Sequence, residues 1–161
     1  MILIGLGANL PSPAGKPADT LNAALAALAV RSITVERQSG FYQSSAWPDQ
    51  SDPPFVNAVA AVRTALSPRD LLTALHELES SFGRKRGESN APRTLDLDLL
   101  DYNSLIQEGP PVLPHPRMED RAFVLLPLRD VAPLWRHPVS GRTVSELIAA
   151  LPPTGIVRLP P

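Results

Sequence analysis

A chain of 161 residues with 15 basic and 16 acidic side chains, a net charge of −1 and no cysteine is sized for one domain with its own core and is too short for two full catalytic domains. Balanced charge leaves no footprint for nucleic acid or an anionic membrane, and the missing cysteines exclude a disulfide framework and a thiolate metal site. No apolar run approaches the roughly 18 residues that cross a bilayer. No charged segment leads into an apolar core at the amino end, so the expectation is a soluble cytoplasmic protein forming a single domain over residues 1–161.

In chain order, Met1 to Leu6 is wholly apolar and reads as a strand in the middle of a sheet, broken by Gly7-Ala8-Asn9. A proline-rich loop follows from Pro11 to Pro17, and Asp19 or Thr20 can cap a helix with Leu21, Leu25 and Leu28 on one face. Ser32 to Ser45 suggests one long strand with a bulge near Gly40, and Ala46 to Pro54 is a loop by composition. Phe55 to Thr64 is a further strand, with Phe55, Asn57 and Val59 on one face and Val56, Ala58 and Ala60 on the other. Ser67-Pro68-Arg69-Asp70 starts a helix whose apolar stripe is Leu71, Leu75, Leu78 and Phe82, ended by Gly83.

After a polar, basic loop from Arg84 to Pro92, residues Leu95 to Leu100 alternate apolar and acidic, the pattern of a strand buried on one face. Asp96 and Asp98 therefore point the same way, with Cα atoms about 6 to 7 Å apart. Two like charges side by side on a sheet are destabilising unless cations lie between them, and a pair of magnesium ions about 3.5 to 4 Å apart suits that space. The basic residues Arg84, Lys85, Arg86 and Arg93 upstream, with His115 and Arg121 downstream, add guanidinium groups that match phosphate oxygens. Acidic residues for metal beside arginines for phosphate are what an enzyme handling a magnesium polyphosphate needs.

Beyond Tyr102 the pattern is less regular: an extended segment at Val112 to Pro116, a loop and short helix between Arg117 and Leu128, and a last helix from Thr143 to Leu151 with a Thr143/Glu146 capping box. The tail has the makings of an edge strand. Strand, helix, strand, strand, helix, strand is the ferredoxin-like βαββαβ order: an α+β fold with an antiparallel sheet, helices on one face and a C-terminal extension carrying additional helices. If those helices cover Leu95, Leu97 and Leu99, the two aspartates lie on the opposite face, with Phe55 and Asn57 placed to join them. Neither a Walker-type nor a Rossmann-type glycine loop is present, so side chains and metal must hold any nucleotide. Two other readings of this topology are a regulatory small-molecule sensor, which has no need of paired aspartates, and an RNA-binding domain, whose basic and aromatic strand pattern is missing.

PRTLDLDLL, with PHPRMEDRAFVLLPL downstream, FVNAV upstream and GLGANL at the start, resembles the 6-hydroxymethyl-7,8-dihydropterin pyrophosphokinases of folate biosynthesis. The resemblance implies that ATP gives its β,γ-diphosphate to the hydroxymethyl oxygen of 6-hydroxymethyl-7,8-dihydropterin and that AMP leaves. It implies two Mg2+ ions on Asp96 and Asp98, and phosphate contacts from Arg84, Arg86 and Arg93, of which Arg84 and Arg93 act on the transferring group. His115 and Arg121 match a pair near the α-phosphate, where positive charge helps AMP depart. Phe55 and Phe123 match the aromatics that sandwich the pterin, Asn57 its edge-reading amide, and backbone near Ser44 and Trp47 would complete the pocket. Glu79 matches an acidic position of unassigned role, and His76 and His137 are given none. Phe55 stands where tyrosine is frequent, keeping the ring and losing a hydroxyl. The loops at 84–92 and 46–54 are expected to close over substrates and exclude water, and the family suggests a monomer.

Overall fold

A computed structural model describes residues 1–45, 51–84 and 92–161. The sheet is built outward from its first strand, β1 (Ile2–Ala8), every residue of which is buried. On one side β1 pairs antiparallel with β4 (Phe55–Arg63), and on the other with β5 (Asp96–Tyr102). Gly7 does not break β1, because it is paired on both sides, opposite Asn57 and Asp96. The strand therefore runs two residues further than its apolar run.

The long strand expected over Ser32 to Ser45 is two strands, β2 (Thr34–Gln38) and β3 (Tyr42–Ser44), laid one after the other along the same edge of β4. Between them the ladder is interrupted at Ser39, whose backbone N–H donates to Val59 O at 2.9 Å while its hydroxyl accepts the Val59 N–H at 2.9 Å. The side chain replaces a backbone acceptor, so the break leaves no buried orphan there. The tail adds β6 (Val157–Arg158) on the outside of β3, giving the order β5-β1-β4-β3-β6 with β2 also on β4.

Two helices cover one face. The first, α1 (Pro17–Leu28), starts ahead of the expected cap because Pro17 has no N–H to satisfy and Asp19, at the third helical position, accepts the Lys16 N–H at 3.0 Å. The second, α2 (Pro68–Ser81), begins as its sequence dictates, with the Ser67 hydroxyl accepting from Asp70 N–H at 3.1 Å, and ends at Gly83 with φ of +85°. Leu21, Leu25 and Leu28 of α1 and Leu71, Leu75 and Leu78 of α2 close a core over Ile4, Leu6, Ala58, Ala60, Leu97 and Leu99.

The second face is only partly covered. Helix α3 (Ala122–Val131), backed by α4 (Val144–Ala149), packs Val124, Leu125 and Leu128 on Leu3, Val59, Ala61 and Leu100. β5 has a bulge here: Leu3 faces Asp101 but Ile4 faces Leu99, so Leu100 and Asp101 both turn toward α3. The buried Asp101 carboxylate accepts from Trp135 Nε1–H at 2.9 Å and from Ser104 N–H at 3.0 Å. Because α3 stops at this half of the face, the rows holding Asp96 and Asp98 remain open.

Candidate active site

The open half of the sheet is floored by glycine. Gly5 lies opposite Asp98 and Gly7 opposite Asp96, so in these two rows the strand between the aspartates and β4 carries no side chain on that face. A Cβ on Gly7 would stand 3.1 Å from Asn57 Oδ1, while one on Gly5 would meet Leu100 at an ordinary 3.5 Å. The result is a cavity of about 570 Å³, within the range of small-molecule sites. The sequence pattern Gly-Leu-Gly at period 2 inside an otherwise buried strand was the available signal for that floor.

One row across the sheet reads Asp96, Gly7, Asn57, spanning two inter-strand spacings or about 10 Å between the outer Cα atoms. At the Asn57 end the amide Nδ2–H donates to Ser44 Oγ at 2.9 Å, leaving Oδ1 over Gly7 as an acceptor. Phe55 and Phe123 both line the cavity with Asn57 and Ser44, so the expected rings, the amide and the Ser44 segment come together. In this state the Arg121 guanidinium lies over the Phe123 ring, 5.5 Å from its centroid.

At the Asp96 end charge is concentrated. Arg93 Nη1 lies 3.3 Å from Asp96 Oδ2, and Arg84 Nη1 lies 2.7 Å from Asp96 Oδ1 while also pairing with Glu79. Burial works against the Arg84 charge, but Asp96 and Glu79 hold its pKa above the ordinary value. Glu79, buried on α2, also accepts the Leu97 N–H at 2.8 Å, so it braces β5 between the two aspartates. Asn9, 2% exposed, accepts from Arg93 N–H at 2.8 Å and donates through Nδ2 to Pro53 O at 3.1 Å, tying the arginine's backbone to the lead-in of β4.

The carboxyl of Asp98 is pushed up to about 7, first by burial and then by the charge of Asp96, with Arg121 and Arg93 working the other way. His115 is lowered to about 4 by burial and by Arg121, so near neutral pH it is an uncharged imidazole. Its Nδ1 accepts the Arg117 N–H at 3.2 Å, leaving Nε2–H as the donor, beside the guanidinium of Arg121. Arg117 and Asp120 line the cavity too, a contribution missed in the sequence because that stretch lacks regular periodicity. Trp47 and Arg86, with most of both expected closing loops, lie outside the described residues.

A cleft with guanidinium groups and carboxylates at one end, and rings around a hydrogen-bonding amide at the other, suits an enzyme that moves a phosphate-type group onto a flat acceptor: a small-molecule phosphotransferase. Within that class the family is definite. The family model of 7,8-dihydro-6-hydroxymethylpterin-pyrophosphokinase (HPPK) matches residues 3–133, and the chain belongs to that family. A 2-amino-4-hydroxy-6-hydroxymethyldihydropteridine pyrophosphokinase of Synechocystis is 42% identical, covering 96% of this chain and 77% of that one; its namesake in Pseudomonas aeruginosa is 42% identical, covering 99% and 96%. Among solved structures, an HPPK-DHPS in complex with substrates superposes with a TM-score of 0.70 at 12% identity, covering 92% of this chain. The HPPK-DHPS of Plasmodium falciparum gives 0.66 at 14%, covering 92%. The chain spans 42% and 40% of those longer proteins, and at such identity they speak for the fold alone.

Proposed function

We propose that this chain transfers the β,γ-diphosphate of ATP to the hydroxymethyl oxygen of 6-hydroxymethyl-7,8-dihydropterin, releasing AMP, in folate biosynthesis, with the described cleft as the reaction chamber. The observation that carries the assignment of residues is the glycine-floored row from Asp96 to Asn57, which sets a charged end and a ring end about 10 Å apart with only the Gly7 backbone on the row between them.

The residues fit a divalent cation. Asp98 is a carboxyl whose proton is retained to about 7 largely because of burial and a neighbouring carboxylate, and a cation between the two relieves that repulsion. Among the described residues no cluster of three or more His, Cys, Asp or Glu is placed to hold a metal. Two protein carboxylates, with substrate phosphates and water completing the shell, is how magnesium is usually held. Asp96 and Asp98 would hold two Mg2+ ions, which when bound screen the phosphate charge and polarise the transferring group.

The remaining work falls to the chain. Arg93 and Arg84 stand against Asp96 to take up charge on the transferring group, and Arg121 supplies positive charge where AMP forms. His115 contributes an N–H rather than a charge. Asn57 Oδ1 accepts from the donor edge of the pterin while Phe55 and Phe123 pack on its faces, holding the hydroxymethyl group in line. The protein acts on small molecules as a cytoplasmic monomer.

The test is AMP release from ATP, magnesium and 6-hydroxymethyl-7,8-dihydropterin. Asp96→Ala and Asp98→Ala should each lose orders of magnitude in kcat/KM while retaining the wild-type circular dichroism spectrum. Release of ADP, or full turnover in both variants, would sink these assignments.

A further inference from the structure

Beyond α3 the chain turns back on itself around a buried histidine. His137, 5% exposed, lies past residue 133, where the family match ends. Its backbone N–H donates to Arg142 O at 2.9 Å and its carbonyl accepts Gly141 N–H at 2.8 Å. Its ring stands edge-on to Trp135, with centroids 5.8 Å apart.

The ring nitrogens have separate tasks. Nδ1 accepts both the Val139 and the Ser140 N–H at 3.2 Å, so the proton of the neutral ring resides on Nε2. Nε2 lies 3.2 Å from Glu119 Oε1. Glu119 is the middle residue of a single 3-10 turn, Met118–Asp120, whose flanking residues are Arg117 and Arg121. A three-residue turn has little stability of its own, and no side-chain hydrogen bond caps it. Met118, fully buried in the core beneath α3, anchors one side of the turn. Glu119 anchors the other, its carboxylate facing His137 Nε2.

We propose that His137, acting through Glu119, is a positioning residue that holds the turn carrying Arg117 and Arg121 against the cavity. The inference rests on the reading of Arg121 as a phosphate-side residue. It makes a loop of the C-terminal extension, remote from the substrates, part of what sets affinity for ATP.

Two substitutions separate this role from simple folding. In His137→Asn the amide oxygen stands in for Nδ1 and keeps the acceptor for Val139 and Ser140, but the shorter side chain cannot reach Glu119. Glu119→Gln keeps an acceptor oxygen for Nε2–H, whereas Glu119→Ala does not. The expected result is a KM for ATP raised about fivefold or more in His137→Asn and in Glu119→Ala, a smaller change in the KM for the pterin, unchanged melting temperatures, and near-wild-type behaviour in Glu119→Gln. The double variant His137→Asn/Glu119→Ala should be no worse than the weaker single one, as for residues acting as one unit. An unchanged KM for ATP in His137→Asn, additive effects in the double variant, or turnover lost only in step with the folded fraction would overturn the proposal. Arg121→Ala serves as control: if it leaves the KM for ATP unaltered the underlying site reading fails, and if it raises that KM while His137→Asn does not, the positioning role alone fails.

Discussion

Gly7 shows how a residue without a side chain determines what its neighbours can bind. Asn57 Oδ1 would be 3.1 Å from a Cβ at Gly7, and Phe55 Cδ1 3.9 Å from it. Gly7→Ala should therefore displace the amide by a few tenths of an ångström and raise the KM for the pterin about tenfold, with the KM for ATP much less affected; steady-state kinetics in each substrate reads the split. Asp98 supplies the pH dependence. Its carboxyl binds a proton up to about 7, so metal must displace that proton, and magnesium affinity should fall by up to tenfold per pH unit below about 7 and level off above it. Calorimetric titration with magnesium between about pH 6 and pH 8 tests this, and Asp98→Asn should flatten the profile. The stability linkage of the metal-free protein has the corresponding sign. A carboxyl raised in the fold favours the folded state while protonated, and that contribution is lost as pH rises from the ordinary carboxylate range through about 7. His115, lowered to about 4, acts oppositely over most of that range: its neutral form is the one the fold accommodates, so its contribution to stability grows as pH rises from about 4 to the ordinary histidine value of about 6.5.

At the scale of elements, the interrupted edge of β4 is the least regular part of the sheet, and Ser39 carries it. Its hydroxyl accepts the Val59 N–H at 2.9 Å and donates to Gly40 O at 2.6 Å. Ser39→Ala leaves a buried N–H without an acceptor and should cost about 1 to 3 kcal/mol in urea denaturation. Asn57 and Ser44 lie beyond the break, toward the cavity, so the KM values should stay close to those of the wild type. Helix α2 illustrates a different coupling between fold and function. The face that seals the core with Leu75 and Leu78 also delivers Glu79 beneath β5, so a helix packed for stability also orients the strand that presents Asp96 and Asp98.

Over the whole molecule, the two faces of the sheet divide the labour. One face of the sheet is given to packing, under α1 and α2; the other is shared between α3 and the cavity, and the boundary falls where the β5 bulge turns Leu100 and Asp101 toward α3. The Asp101 carboxylate is buried, with Trp135 Nε1–H and Ser104 N–H as its donors. Trp135→Phe removes one of these donors with little loss of apolar bulk. It should cost about 1 to 3 kcal/mol, a fall of roughly 2 to 4 °C in melting temperature for each kcal/mol, measured by calorimetry with activity per folded molecule unchanged.

Much of this was legible in the chain. Alternation placed Asp96 and Asp98 on one strand face, Phe55 and Asn57 shared a face by the same period, and Ser67-Pro68 with Gly83 bounded α2, because period, capping and proline chemistry act within a few residues. Motif resemblance supplied the roles proposed for residues far apart in sequence. What only the tertiary structure decided depends on pairing across the sheet and on burial. Gly5 and Gly7 become a floor only when opposite Asp98 and Asp96. His115 loses its charge only because Arg121 and the fold surround it, and Arg84 settles between Glu79 and Asp96. His137 reaches Glu119 only because the extension folds back. Local sequence specifies which way a side chain points along its own element, whereas its protonation and its partners are set by groups many residues away, brought near by the register of β1 with β4 and β5.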